Sequence, residues 1–307
     1  MRAAGMLLLL LMLQCSLGTA DDKPTTDSRQ QAAKDAREAA RKAIVRGPSS
    51  IALRDQATLA LPEHFGFIPQ KEATALMLVM GNPTGDSLLG LIVPLSGEGA
   101  APGSGHWVIT LRYKPEGYIK DDDARHWDAD ELLNSLKEGT EAGNERRERE
   151  GIPPIQVTRW IEVPHYQAGN HQLRWSAEVK LKNAPDPDPT INYNTYLLGR
   201  DGFISMNLVT AASEVGRDKE SVRPVLDAMA FNSGRRYTDF NSSTDRVAAY
   251  GLAALVAGVA AKKLGLLALI AAFVVKFAKV IVIASAAFGA AIIRWFKARS
   301  GSKDSAA

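Results

Sequence analysis

Gln172-Leu173-Arg174-Trp175-Ser176-Ala177-Glu178-Val179-Lys180-Leu181 alternates without a break. Leu173, Trp175, Ala177, Val179 and Leu181 fall on one side of an extended chain, and Gln172, Arg174, Ser176, Glu178 and Lys180 on the other. A period of two is the mark of a strand, and it predicts a sheet with one buried and one wet face. Trp107, Ile109, Leu111 and Tyr113 repeat the pattern, and Leu89 to Leu95 is a short apolar run. Ile155 to Val163, Tyr193 to Leu198 and Phe203 to Val209 add further strands. Two helices interrupt them. One starts at Asp128, with Glu131 completing a capping box, and stops at Gly151 and Pro153-Pro154. The other runs from Ser221 to Phe231. The fold class expected is α+β: an antiparallel sheet packed by a few helices, followed by a C-terminal transmembrane or amphipathic helical region.

The two ends of the chain place it at a membrane. Arg2 followed by the apolar run Met6 to Leu13, with small residues at Gly18-Thr19-Ala20, reads as a signal peptide over residues 1–20. Cleavage there would remove Cys15, the only cysteine. Gln14 stands where a lipidated cysteine wants a small neighbour. At the other end, residues 247–299 are apolar but for single and paired lysines. No uninterrupted piece reaches the roughly 20 residues that cross a bilayer, whereas a continuous helix from Leu264 to Ile293 does. At 100° per residue, Lys276, Lys279 and Arg294 share a sector with Ile283, Ala286, Ala287 and Ala290, a small-residue face on which a second helix could pack. One span would leave the basic tail in the cytoplasm, and a hairpin would leave it outside.

Charge divides the chain the same way. Residues 21–246 hold 28 Lys+Arg against 33 Asp+Glu, and residues 247–307 hold 8 against 1. The mildly acidic body lacks the basic surplus of a nucleic-acid binder, and the basic tail suits anionic headgroups. The organisation expected is a polar and helical spacer over 21–50, an extracytoplasmic α+β domain over 51–240, a membrane-associated helical anchor over 241–299, and a polar tail over 300–307.

Several groups of residues carry a resemblance. In order, they include Gly90-Leu91-Ile92-Val93-Pro94, Gly117-Tyr118-Ile119-Lys120-Asp121-Asp122-Asp123-Ala124, Asn144-Glu145-Arg146-Arg147, Trp160 with Pro164-His165-Tyr166, and Leu198-Gly199-Arg200-Asp201-Gly202. Tyr237-Thr238-Asp239-Phe240, Tyr250-Gly251-Leu252 and Lys262-Lys263 follow. Over roughly residues 50 to 295 the chain resembles the bacterial domain-of-unknown-function family 2167, described as membrane-anchored proteins. The resemblance implies a signal-bearing envelope protein and brings no catalytic residues with it.

The chemistry-bearing residues fall into a few groups. Asp121 and Asp123 sit in an acidic run that could bind calcium, but Arg125 and His126 stand where an EF-type loop needs a ligand and a glycine. A turn before an Asp-capped helix is the simpler reading. His126, His165 and His171 lack zinc-ligand spacing. No G-x-S-x-G elbow or phosphate-cradling loop is present, so no cofactor or metal is expected. Trp160, Tyr166, Trp175 and Tyr193, near Arg159, Arg174 and Arg200, could line a groove for peptide, glycan or headgroup. Trp160 shares its register with Gln156, Thr158 and Glu162, which predicts exposure.

The functional reading is a cell-envelope protein anchored by its C-terminus, its main domain extracytoplasmic (periplasmic in a Gram-negative cell), binding or scaffolding rather than catalysing. Its partners would be the bilayer and a membrane protein or a second copy. The alternatives are an envelope hydrolase using Asp121, Asp123 and one of His126, His165 or His171, and a membrane-active helical assembly.

Overall fold

The structure, a computed structural model, describes residues 26–257 except 83, 96–106, 126 and 186. Eight strands form one antiparallel sheet in the order β1-β4-β5-β6-β10-β9-β8-β7. They are β1 (Val45–Arg46), β4 (Phe65–Pro69), β5 (Leu88–Pro94), β6 (Val108–Lys114), β7 (Ile155–Gln167), β8 (Gln172–Leu181), β9 (Thr190–Leu198) and β10 (Phe203–Ala211). A second sheet joins β2 (Ser49–Leu53), β3 (Ala57–Leu61) and β11 (Met229–Phe231) in the order β11-β3-β2. Five helices complete the described fold: α1 (Thr26–Ala43), α2 (Gln70–Val79), α3 (Ala129–Arg149), α4 (Val215–Asp227) and α5 (Leu252–Ala257). The α+β class is as expected.

Both faces of the large sheet are covered, which corrects the expectation of a wet face. On the first face, Ile109, Leu111, Tyr193, Ile204, Met206 and Leu208 pack with Val222, Val225 and Leu226 of α4 and with Leu59, Met229 and Phe231 of the small sheet. Gln172, Ser176 and Glu178, the polar side of the alternating strand, are therefore buried. Burial of a polar group is tolerable only with a partner, and Glu178 has three. Its carboxylate accepts from Thr158 Oγ1 (2.6 Å) and Arg159 Nη2 (2.9 Å) and pairs with Lys180 (3.3 Å). These bonds, Thr158's foremost, hold its pKa below the usual range.

The opposite face carries two clusters. Ile68, Leu88 and Leu91 pack with Ala40 of α1 and Ala73 and Met77 of α2. Leu173, Trp175, Ala177 and Phe203 pack with Leu132 of α3 and Leu252, Val256 and Ala257 of α5. Two segment boundaries move accordingly. The helix assigned to a spacer over 21–50 is docked, with Ala36 and Ala40 buried on its inner side. Residues 241–257, assigned to the start of the anchor, belong to the folded body, because α5 closes the second cluster.

The second predicted helix is also shifted. It spans Val215–Asp227, and Met229 to Phe231, read as its end, is the strand β11. Among the described residues no helix is long and apolar enough to cross a membrane. The predicted signal peptide and the anchor from 258 onward lie outside the described residues, with Lys276, Lys279, Ile283, Ala286, Ala287, Ala290 and Arg294.

Edge strand β7 departs from regular pairing three times. Its register against β8 shifts between Val157 and Trp160, between Trp160 and Glu162, and between Glu162 and His165. Each shift inserts an extra residue, which bends an exposed edge and re-aims the side chains that follow. Trp160 is thereby set opposite Ala177, on the face of Trp175. It meets the Trp175 ring edge-on at 5.6 Å and donates from Nε1 to Ala129 O (2.9 Å). The predicted exposure of Trp160 fails because the extra residues break the period of two.

Candidate functional site

The structure separates the residues that the sequence grouped. Asp121 and His171 do come together, through Tyr166. The Tyr166 hydroxyl donates to Asp121 Oδ2 (2.8 Å) and lies 3.2 Å from His171 Nδ1. Tyr166 reaches this point from the end of β7, and His171, at φ 52°, from the β7–β8 turn. The His171 ring packs on Tyr237 at 4.4 Å, and Tyr237 donates to Ile119 O (2.8 Å). Tyr118 stacks on both Tyr237 and Phe240. Burial, reinforced by the Asp121 carboxylate, pushes the Tyr166 phenol well above its ordinary range. Burial lowers the His171 pKa, against an opposing pull from Asp121. The phenol and the imidazole therefore both favour their neutral forms, a donor chain ending on a carboxylate.

Asp123 has a different role. Its two oxygens accept from Leu252 N (3.0 Å) and Ala253 N (2.9 Å), capping α5. A Cβ on Gly251 would lie 2.4 Å from Asp123 Oδ2, so the absent side chain admits the cap. The acidic run is a 3-10 turn over Asp122–Arg125, and Asp128 caps α3 through Asp130 N and Glu131 N. Among the described residues no three His, Asp or Glu side chains gather as a metal site. His126 lies outside the described residues. Arg200 is held in a two-bond fork by Asp245, Nε to Oδ2 at 2.7 Å and Nη2 to Oδ1 at 2.8 Å. The Arg200 bond, with Asn241 N behind it, pulls the Asp245 pKa strongly down.

His165 lies on the other face of the sheet, opposite Arg174. There, α4 and the bulged end of β7 enclose a cleft of about 220 Å³, lined among others by Glu162, His165, Arg174, Tyr193, Lys219 and Arg223. Lys219 pairs with Glu162 and stands 5.5 Å over the Tyr193 ring. Arg174 pairs with Asp227 (3.1 Å) and Arg223 with Glu220 (2.9 Å).

The sheet beneath this cleft holds an unexpected feature. Ser176 sits between Glu162 and Tyr193 in the sheet register, and Thr195 lies opposite Arg174. Both residues are 0 % exposed. Ser176 Oγ, Thr195 Oγ1 and Arg174 Nε are buried with no protein partner. Buried polar groups are nearly always bonded, and each unmade bond costs about 1–3 kcal/mol. Arg174 lines the cleft, while Ser176 and Thr195 lie sealed in the sheet beneath it. Sequence reasoning passed over Ser176 and Thr195 because a hydroxyl on the polar side of a strand looks merely wet.

The family described as "Protein of unknown function (DUF2167)" matches residues 45–286. The chain belongs to this family. The DUF2167 match begins at β1 and takes in both the Tyr166 chain and the α4 cleft. Several residues that carried the resemblance have local structural roles. Asn144 of α3 bonds both backbone groups of Ile155, donating to its O (2.8 Å) and accepting from its N (3.0 Å). Arg147 Nε donates to Pro153 O (2.9 Å), so the two residues clip the α3–β7 turn. No curated protein matches. Among solved structures, the solution structure of PsbP (CyanoP) from Synechocystis sp. PCC 6803 is similar over 60% of this chain and 92% of that chain, at 10% identity and a TM-score of 0.35. A likeness of that size carries no argument here.

Proposed function

We propose that this protein is a ligand-binding domain of the cell envelope, held at the outer face of a membrane by the apolar segment beyond residue 257, with the α4 cleft as its binding site. The observation that carries the reading is the cleft itself, about 220 Å³ between α4 and the bulged end of β7, with Arg174, Tyr193, Lys219 and Arg223 in its lining. The basic, apolar C-terminal sequence supports the tether, which would raise the domain's effective concentration for membrane neighbours. The face of Ile283, Ala286, Ala287 and Ala290 would pair with a second helix, from another copy or a partner. A hydrolase built on Asp121, Asp123 and a histidine gains from the geometry only the Asp121–Tyr166–His171 chain. Asp123 is occupied as a cap and His165 lies across the sheet from His171.

The test is amide hydrogen exchange on the full chain in detergent, with inorganic phosphate, succinate and glucose each added in turn. At least one probe should slow exchange in β7, β8 and α4 while leaving α1 and α2 unchanged. Unaltered exchange around the cleft with all three would rule out the cleft as a binding site.

A further inference from the structure

We infer that two copies of this chain pair edge to edge through β2, joining their small sheets into one continuous antiparallel sheet.

The edges of the two sheets are not alike. In the large sheet, β1 is two residues long, and β7 breaks register three times and carries Arg159, Glu162 and His165. In the small sheet, β11 is three residues long. The remaining edge is β2. Its five residues run in unbroken register against β3, and none of them is charged. Protein edges are usually blunted by shortness, charge, proline or a bulge, because a bare edge is a template for another strand.

The groups left open on β2 follow from its pairing. On β3, Ala60 N donates to Ala228 O and Gln56 O accepts from Asn232 N. Even-numbered residues of β3 therefore turn their backbone groups toward β11, and odd-numbered ones toward β2. Ser49, Ile51 and Leu53 stand opposite Leu61, Leu59 and Ala57, so their groups are used within the sheet. The N–H and C=O of Ser50 and Ala52 point outward instead, and both residues are exposed. Among the described residues, no hydrogen bond from a turn or loop backbone reaches these four groups.

That pattern is self-complementary. Antiparallel pairing about a two-fold axis at Ile51 sets Ser50 of each copy opposite Ala52 of the other, and four backbone hydrogen bonds form. Moving the axis to Ser50 brings in Pro48, which has no N–H. Moving it to Ala52 brings in Arg54, whose φ of 56° has left the strand. The two Ile51 side chains meet at the axis in the close, non-hydrogen-bonded position, where cross-strand apolar pairs pack best. A two-fold contact of this kind closes after two copies. It is smaller than the interface of a permanent dimer, so the pairing is reversible and rises with concentration.

The experiment is disulfide trapping of the full chain in detergent, with Cys15→Ser in every sample and several protein concentrations. Ser50→Cys chains mixed with Ala52→Cys chains should cross-link, because directly opposed hydrogen-bonded residues have Cα atoms about 5.5 Å apart. Either variant alone should cross-link at least about tenfold more slowly, since like residues are then offset along the strands beyond the roughly 7 Å reach of a disulfide. An excess of chain with native β2 should suppress the mixed cross-link. Ala52→Pro removes only an outward N–H, so it should melt with the native chain and yet fail to compete. Should Ala52→Pro fail to fold, the comparison of mixed and single samples decides the matter. A mixed sample that traps no faster than the single ones overturns the inference, and so does Ala52→Pro that folds and competes fully. Slow amide exchange at Ser50 and Ala52 without the mixed cross-link also overturns it, because some other strand then covers the edge.

Discussion

A chain ended at Asp245 melts about 10–20 °C below one ended at Ala257. The difference lies in a short segment that the sequence assigns to the anchor. Leu252 and Val256 are 0 % exposed, and with Ala257 they close the cluster built on Leu173, Trp175, Phe203 and Leu132. Removing two buried aliphatic side chains of this size costs about 4–6 kcal/mol together. The cut also frees both oxygens of Asp123, which cap α5. It breaks the short ladder in which Tyr118 N donates to Arg246 O and Ala248 N to Tyr118 O, each at 2.8 Å. Domains of this size are stable by only about 5–15 kcal/mol, so the loss consumes a large share of the total. Circular dichroism melting of the two purified chains measures it. Equal melting temperatures would mean that α5 is not part of the fold.

Gly202→Ala should be among the most damaging single methyl additions beside the sheet, costing about 3 kcal/mol or more. A Cβ at this position would lie 2.0 Å from Lys114 O and 2.9 Å from Lys114 C. Both are backbone atoms, so no side chain can swing aside. The backbone at Gly202 has φ 157°, and Phe203 begins the β10 register against Lys114 of β6. Relief would therefore displace the start of β10 and the end of β6. Gly216→Ala is the matched control. That glycine lies in α4, a Cβ on it meets nothing within 4 Å, and alanine is the better helix former by about 1 kcal/mol. Urea unfolding should show Gly202→Ala strongly destabilised and Gly216→Ala unchanged or more stable. Similar curves would mean that the β6–β10 junction is looser than the clash implies.

Two central strands were legible because Leu173 to Leu181 and Ile109 to Tyr113 keep a strict period of two. What covers them was not. The alternation of Gln172, Arg174, Ser176 and Glu178 looks the same whether that side meets water or meets α4, and only the tertiary fold distinguishes the two. Trp160 was misplaced for a related reason, since each extra residue in β7 reverses the faces of all that follow. Asp121 and Tyr166 are 45 residues apart, and Lys219 and Glu162 are 57 apart. Neither pair has a spacing rule to reveal it. Local chemistry fared better. Asp128 capping α3 follows from a carboxylate ahead of a helical run, and the Asp122–Arg125 turn agrees with a structural role for the acidic run.

We propose a binding domain carried by the residues up to Ala257 and a membrane segment among those beyond it. The most direct test expresses the full chain and the chain ended at Ala257 with the same leader, then separates membranes from soluble protein. The full chain should sediment with membranes and resist carbonate extraction. The shorter chain should be soluble, melt at the temperature of the full-length domain and keep any ligand binding at the cleft. A shorter chain that stays with the membrane would contradict it, and so would one that is soluble but unfolded.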